Sequence, residues 1–508
     1  MHKAVTFINR RAKFSLTRSQ RLLMSIFCSL SVGLTHAQPM GAPSLGPASA
    51  DELSPAVERK LGEAIMVEAR RDPDFVSDPA INQYLNDMAH HLVAFAPHGG
   101  PELDVFGVRD PVVNAFAMPG GFIGVNTGLI VSTKSEAELA GVLAHETAHV
   151  VQRHMARGLT QQKQSNAIML ASMAAAILAA LAHAGGNAAA GVALFGQAAA
   201  LDQQLGFSRE AEQEADRIGF DMLSQAGYDP TGMVRMFAGM TNAATLNESV
   251  RGGVFASTHP LSMQRMTDMQ NRARLMKPVP NQSSANYWYV RAKARVIQSR
   301  DVKTALLVTE QFQEEARVSD GSNRSAALFG LSLLAFQNKN YPAAEQYLKS
   351  AQVNVPASPF LSAQAIDIDL AQGNTNHALV TAQAAIKKWP EQVAILQRLV
   401  KVYEVSHKDH ELVELLNQYI QRWPDQVPSL YQSLGNAQER MGLRIESREN
   451  IATYYRLTGA LVAAMNQLQE ARKMSNDFYE QSQLDARVQK IREQMTQERR
   501  MLERFKAG

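Results

Sequence analysis

Leu143-Ala-His-Glu-Thr-Ala-His-Val150 decides how this chain is read. It sets His145 and His149 one helical turn apart on the same face, with Glu146 between them. Two neutral imidazoles at that spacing can both reach one Zn2+ at about 2.0–2.1 Å. The carboxylate between them is then placed to take a proton from a metal-activated water. The plain alternative is a surface helix that happens to carry two histidines.

Upstream, Ser135 with Glu138 three residues later forms a capping-box start, and the helix is expected to run to about Arg157, where Gly158 marks an end. Before it, Val105, Phe106, Val108, Val112, Val113, Phe122, Ile123 and Val125 are strand formers broken by Pro111, Pro119 and Gly120-Gly121. A small sheet beside the motif helix follows. If Phe122–Val125 is its edge, that strand can pair with an extended substrate backbone. From Ala56 to about Phe95 the pattern is helical, with Leu61, Ile65, Val67, Ile81, Leu85, Met88 and Leu92 on apolar phases.

Downstream, the question is the third ligand. A site with a third histidine needs a glycine three residues after His149 and a histidine three beyond it. Gln152 and Met155 stand there instead. The remaining common solution is a carboxylate on a second helix. Ser208-Arg-Glu-Ala-Glu-Gln-Glu-Ala-Asp-Arg-Ile-Gly219 is acidic in its first turns, where the helix dipole favours anions. Glu212 and Asp216 share a face, so one can bind metal while the other accepts a hydrogen bond from a ligand imidazole. An ordinary solvated acidic helix start fits the same residues. Thr258-His259-Pro260 alone reads as a turn histidine, and His90, His91 and His154 read as structural.

With 508 residues, 45% apolar and 19% charged, the chain suits two or three globular domains. Residues 1–37 read as a secretory signal peptide: six basic and no acidic residues, an apolar stretch from Leu22 to Leu34, and Thr35-His36-Ala37 as a cleavage site. An uncleaved membrane anchor is the other reading. The single cysteine, Cys28, lies in this segment, so an exported form has no disulfide and relies on packing and metal. Six of the 51 Lys and Arg residues also lie there, which turns a net charge of +3 into −3 for the remainder. Nothing in that balance points to nucleic acid. Residues 38–54, rich in Pro, Gly, Ala and Ser, read as a linker. The apolar stretch 167–200 is long enough for a membrane helix or a hairpin dipping into a bilayer, and a peripheral membrane contact is one reading of it. Its alanine content, with Ser172 and His183 interrupting, equally suits a helix packed on the catalytic domain or a lid over the cleft.

The C-terminal half carries a period. Trp389-Pro-Glu-Gln-Val393 and Trp423-Pro-Asp-Gln-Val427 lie 34 residues apart, and Ala344, Ala378 and Leu412 share that spacing, as do Leu348, Ala382 and Leu416. Small and apolar residues at these phases match the tetratricopeptide (TPR) pattern of paired helices. The match is clear from Ser325 to Pro424 and degenerate from Asn286 to Ser322 and from Val427 to about Arg492. Such arrays curve, and their concave face binds peptides or partner proteins.

Taken together, Asn114 to Leu129, the His145 motif, Glu212-Gln-Glu-Ala-Asp216 and Thr258-His259-Pro260 resemble the zinc endopeptidases that include the CAAX prenyl protease and the heat-shock protease HtpX. The signal peptide and the repeats look like the periplasmic branch of that family. The resemblance implies one Zn2+ per chain, held by His145, His149 and Glu212, with Glu146 as general base. It implies that Asp216 assists from behind the ligands or as a proton donor. His259 would lie near the metal, contacting the intermediate or blocking the open position, and Arg265 fits the family's spacing after His-Pro. Its implied substrates are unfolded or misassembled outer-membrane proteins, and its implied partner is the barrel-assembly machinery. The expected architecture is an α+β zinc-peptidase domain over 55–280, mostly helical with a small sheet beside the active-site helix. An all-α TPR-like superhelix over 285–495 follows it. A chaperone-like TPR adaptor with a largely latent metal site is the competing reading.

Overall fold

Helices α1 (Pro55–Ala69) and α2 (Pro79–Val93) each start on a proline behind a capping side chain. Proline suits a first helical position because its missing N–H has no partner there in any case. Ser54 accepts from the Val57 N–H, and Asp78 Oδ1 from Ala80 and Ile81 at 3.0 and 3.1 Å. The computed structural model describes residues 54–97, 99–161, 207–245, 255, 258–276, 279–280 and 282–506. The expected signal peptide, the linker up to residue 53 and the apolar stretch 167–200 lie outside the described residues.

The helical stretch expected from Ala56 to Phe95 is broken in the middle. Asp72 and Pro73 end the first helix, and Phe75–Val76 forms strand β1. It joins β2 (Asp104–Val108), β3 (Ala115–Met118) and β4 (Phe122–Asn126) in the order β1-β2-β4-β3. β1 and β3 run antiparallel to their neighbours, while β2 and β4 pair in parallel from Asp104↔Phe122 to Val108↔Asn126. This corrects the expected edge: Phe122–Asn126 is an inner strand, and Ala115–Met118 lies outside it as one of the two edge strands. The cause is the Pro119-Gly120-Gly121 turn, whose glycines take φ of 80° and 87° and fold β4 back between β3 and β2. Val112 and Val113 fall in the connection before β3, and Leu129 to Val131 in helix α3 (Thr127–Ser132).

Helix α4 (Glu136–Val151) carries the His145 motif. Its capping box is only half made: Ser135 Oγ makes no capping bond, and Glu138 reaches back to the Lys134 N–H at 2.7 Å. The expected run to Arg157 also stops short. The helix ends at Val151, Arg153 takes a left-handed φ of 52°, and a separate α5 (His154–Gln161) begins. Then follow α6 (Arg209–Gln225), α7 (Thr231–Thr245) and α8 (Met263–Leu275).

α6 and α7 pack against α4, whose other flank meets β3. α6 approaches α4 closely at Gly219, where a Cβ would stand 2.9 Å from Ala144 O and 3.1 Å from His145 Cα. Gly219→Ala is therefore expected to force the two helices apart, costing about 1–3 kcal/mol. Because Glu212 and Asp216 ride on the same helix, bound metal should fall as well. Unchanged melting temperature and metal content would show that the crossing tolerates the methyl group.

From Ala285 the described chain is a series of antiparallel helix pairs, from Ala285–Gln298 with Val302–Val318 to Leu461–Met474 with Phe478–Lys506. The pairing extends through both flanks where the 34-residue pattern is degenerate. Trp389 and Trp423 end the second helices of successive pairs with matching backbones, φ −131° in both and ψ 69° and 66°. Ala344, Ala378 and Leu412 are fully buried at the pair interfaces. The array does not begin as a separate body, for one apolar core runs from Val76 to Ala394. Polar ties reinforce it. Lys293 pairs with Asp78 at 2.7 Å, the Ser284 N–H donates to Glu136, and the Gln83 side chain bonds Glu391 O and the Val393 N–H at 2.7 and 3.0 Å. Among the described residues, no helix is long and apolar enough to cross a membrane.

Candidate metal centre

Three elements meet beneath the surface. α4 presents His145, Glu146 and His149, α6 presents Glu212 and Asp216, and the turn before α8 presents His259. The ligand-type atoms of His145, His149, Glu212 and His259 all lie within 4.8 Å of one another, and all four residues are buried. His145 Nε2 is 3.1 Å from His149 Nε2 and 3.4 Å from His259 Nδ1. Glu212 stands 3.5 Å from each of the two α4 histidines and 2.9 Å from His259 Nδ1. A tetrahedral site with bonds of 2.0–2.1 Å requires donors about 3.3–3.4 Å apart. These residues fit a small divalent cation, and three imidazoles with one carboxylate are donors that suit it.

The rings are walled in. Phe207 stacks on His149 at 4.1 Å between centroids, Phe255 stacks on His259 at 4.7 Å, and Phe237 meets His145 edge-on at 5.4 Å. His259 is held where it is by the turn: its N–H donates to Phe255 O at 2.8 Å, and Pro260 O accepts from Arg265 Nη1 at 2.9 Å.

Behind the ligands lies a charge network. His145 Nδ1 faces Asp216 Oδ1 at 3.1 Å, so its proton belongs on that side and its Nε2 lone pair faces the other ligands. Asp216 is held in turn by Arg265, through Nε at 2.6 Å and Nη2 at 2.7 Å, and Arg265 Nη1 reaches Glu212 at 2.6 Å. Burial alone would drive both carboxyls towards the neutral acid. The Arg265 and His145 bonds outweigh it at Asp216, whose pKa is lowered; the His259 charge and the His145 and His259 bonds hold Glu212 well below the usual range.

Burial acts unopposed enough at His149 to push its pKa well down, leaving a neutral ring. At His145 burial is overcome by Asp216 and Glu212, and the pKa rises. Glu146 lies outside the ligand group. Its oxygens are buried without a side-chain hydrogen bond, and His259 Nε2 is 3.6 Å from Oε1. Burial raises its pKa, against the pull of His259 and His145, as suits a proton acceptor working near neutrality.

All six candidate residues thus lie in one buried cluster. His145, His149, Glu212 and His259 face each other, Asp216 stands behind His145, and Glu146 stands beside His259. One neighbour escaped sequence reading. His154, read as structural, places Nδ1 2.9 Å from His149 Nδ1 and Nε2 3.2 Å from Glu214. The only sequence signal for it was a histidine five residues past the motif, which an unbroken helix would have carried away from His149.

A paired-imidazole helix, a carboxylate from a second helix and a buried carboxylate beside the cage define a metallopeptidase. Residues 79–273 match Peptidase family M48. The β-barrel assembly-enhancing protease of Yersinia pestis is 29% identical over 479 residues, covering 93% of this chain and 94% of its own. A putative β-barrel assembly-enhancing protease of Vibrio cholerae is 30% identical over 348 residues, covering 68% of this chain and 70% of its own. The mitochondrial metalloendopeptidase OMA1 of Schizosaccharomyces pombe is 32% identical over 191 residues, covering 37% of this chain and 51% of its own. The chain belongs to peptidase family M48, in the group of the β-barrel assembly-enhancing proteases.

Proposed function

We propose that this chain is a periplasmic, zinc-dependent endopeptidase that degrades misassembled outer-membrane proteins and uses its TPR array to assist β-barrel assembly. The observation that carries the reading is the cage of His145, His149 and Glu212 with Glu146 beside it, in a chain similar to named barrel-assembly proteases over nine-tenths of its length. When bound, zinc polarises the scissile carbonyl and activates the attacking water. Glu146 accepts the proton of that water and delivers it to the leaving amine. Asp216 keeps His145 in the tautomer that can bind metal, and Arg265 keeps Asp216 and Glu212 ionised. Ala115–Met118, one of the two outer strands of the described sheet, borders α4 and would offer its backbone to an extended chain, a mode with weak sequence preference. The array's concave face would recruit the substrate or the barrel-assembly machinery. Digestion of an unfolded outer-membrane protein by the zinc-loaded chain, and its arrest by a chelator, tests the assignment.

One feature favours the latent alternative as the resting state. With His259 Nδ1 in the cage, four protein donors converge, which is the number that completes a closed tetrahedral shell. In this reading His259 is a cap that must withdraw before cleavage. His259→Ala is expected to raise cleavage of an unfolded substrate several-fold, measured by digestion of a casein-type protein at saturating zinc. Unchanged cleavage would count against capping, and reduced cleavage would indicate that His259 supports the reaction instead.

A further inference from the structure

The second ligand histidine also has a support, built from residues outside the cage. Glu214 Oε2 receives Arg157 Nη2 at 2.6 Å and His154 Nε2 at 3.2 Å. The carboxylate only accepts, so the His154 proton sits on Nε2. Arg157 already balances the carboxylate charge, and a neutral ring suffices. The lone pair of His154 is then on Nδ1, which faces His149 Nδ1 at 2.9 Å. Only one proton fits between two nitrogens at that distance, and it must come from His149. The lone pair of His149 is left on Nε2, directed at His145 Nε2 across 3.1 Å.

We infer that Arg157, Glu214 and His154 form a relay of positioning residues that fixes the tautomer and ring orientation of His149, as Asp216 does for His145. The backbone is shaped for it. In a continuous helix, a residue five positions on lies about 140° around the axis. Arg153 instead takes φ 52°, ends α4 and turns the chain so that His154 returns beneath His149. Its guanidinium is tied to Glu58 Oε2 at 3.2 Å, which pins the turn to α1. α6 thus assigns three acids to three tasks: Glu212 faces the cage, Glu214 orients His149 and Asp216 orients His145. The relay presupposes the metal site proposed above, but its test reads binding rather than cleavage.

The test is the Zn2+ affinity of the full chain, by competition with a chromophoric chelator. His154→Leu removes the acceptor and is expected to weaken zinc binding about 10–100-fold. His154→Asn places Oδ1 where Nδ1 was, and is expected to restore most of that loss. Native affinity in His154→Leu would overturn the relay, as would an equal loss in both variants, which would point to packing alone. The nitrogen chemical shifts of the unsubstituted, metal-free protein give an independent reading should the Leu variant not fold. His149 protonated on Nδ1 supports the relay, and His149 protonated on Nε2 overturns it. Wild-type chain that binds no zinc at all would instead defeat the metal-site reading on which the relay rests.

Discussion

Glu146→Gln is expected to leave metal binding intact while lowering the rate of peptide cleavage by about 10²–10⁴-fold. The structure separates the two functions. Glu146 is absent from the group of four whose donor atoms converge, so exchanging its oxygen for an amide removes no ligand. What it removes is the proton acceptor. The carboxyl is fully buried beside the cage, and burial raises its pKa against the pull of His259 and His145. A glutamine keeps the shape and loses the base, so the fall should appear in kcat with KM little changed. Metal content measured beside digestion of an unfolded protein decides the matter. Cleavage at the parent rate would remove Glu146 from the chemistry, and loss of metal would make it a ligand. Should abolished cleavage leave barrel assembly untouched while deletion of the repeats does not, the adaptor reading prevails.

Arg265→Met should produce the largest loss of stability of any single change near the site. Arg265 is 2% exposed and is the cation that touches both Asp216 and Glu212. Removing one member of a buried ionic cluster leaves the others uncompensated, at a cost of about 3–5 kcal/mol. Denaturation with a chelator present should show this deficit, and saturating zinc should recover part of it, because a bound cation stabilises the folded state by mass action. The pH dependence has a definite sign. Asp216 and Glu212 have lowered pKa values in the folded chain, so they stabilise it above their unfolded pKa values and lose that contribution as the pH falls through the folded ones. Without Arg265, burial pushes both back up. The variant's deficit should then be greatest near neutrality and narrow in acid. A variant that melts with the parent under chelator would mean that the two carboxyls find another counter-charge.

What could be read in advance followed from local periodicity. The positions of His145 and His149, and of Glu212 and Asp216, depend only on residues four apart sharing a helix face, and each pair does share one. The 34-residue repeat was legible for the same reason, since Ala344, Ala378 and Leu412 mark one packing position. Features made by distant segments were not legible. Whether β3 or β4 lies outermost depends on a glycine turn that folds one strand between two others. That Arg265 closes the charge balance of Asp216, 49 residues away, follows only from the packing of α8 on α6. The contact of His154 with His149 needed a left-handed residue at Arg153, where the side chain offers no local reason for it. His259 stood apart: its motif gave a resemblance, and only the fold showed it 2.9 Å from Glu212.

The unbroken core from Val76 to Ala394 bears on how such a protein can be subdivided. A cut at residue 280, the expected end of the peptidase domain, would strip Tyr287, Tyr289 and Val290 from the interior they share with Ile81, Leu85 and Leu129. Neither piece would keep a finished surface. The first two helix pairs of the array serve the peptidase as part of its wall, and a new core gathers around Leu396, Leu412 and Leu430 only beyond them. For fragment design, and for any ancestral exchange of parts, the natural seam lies among the repeats.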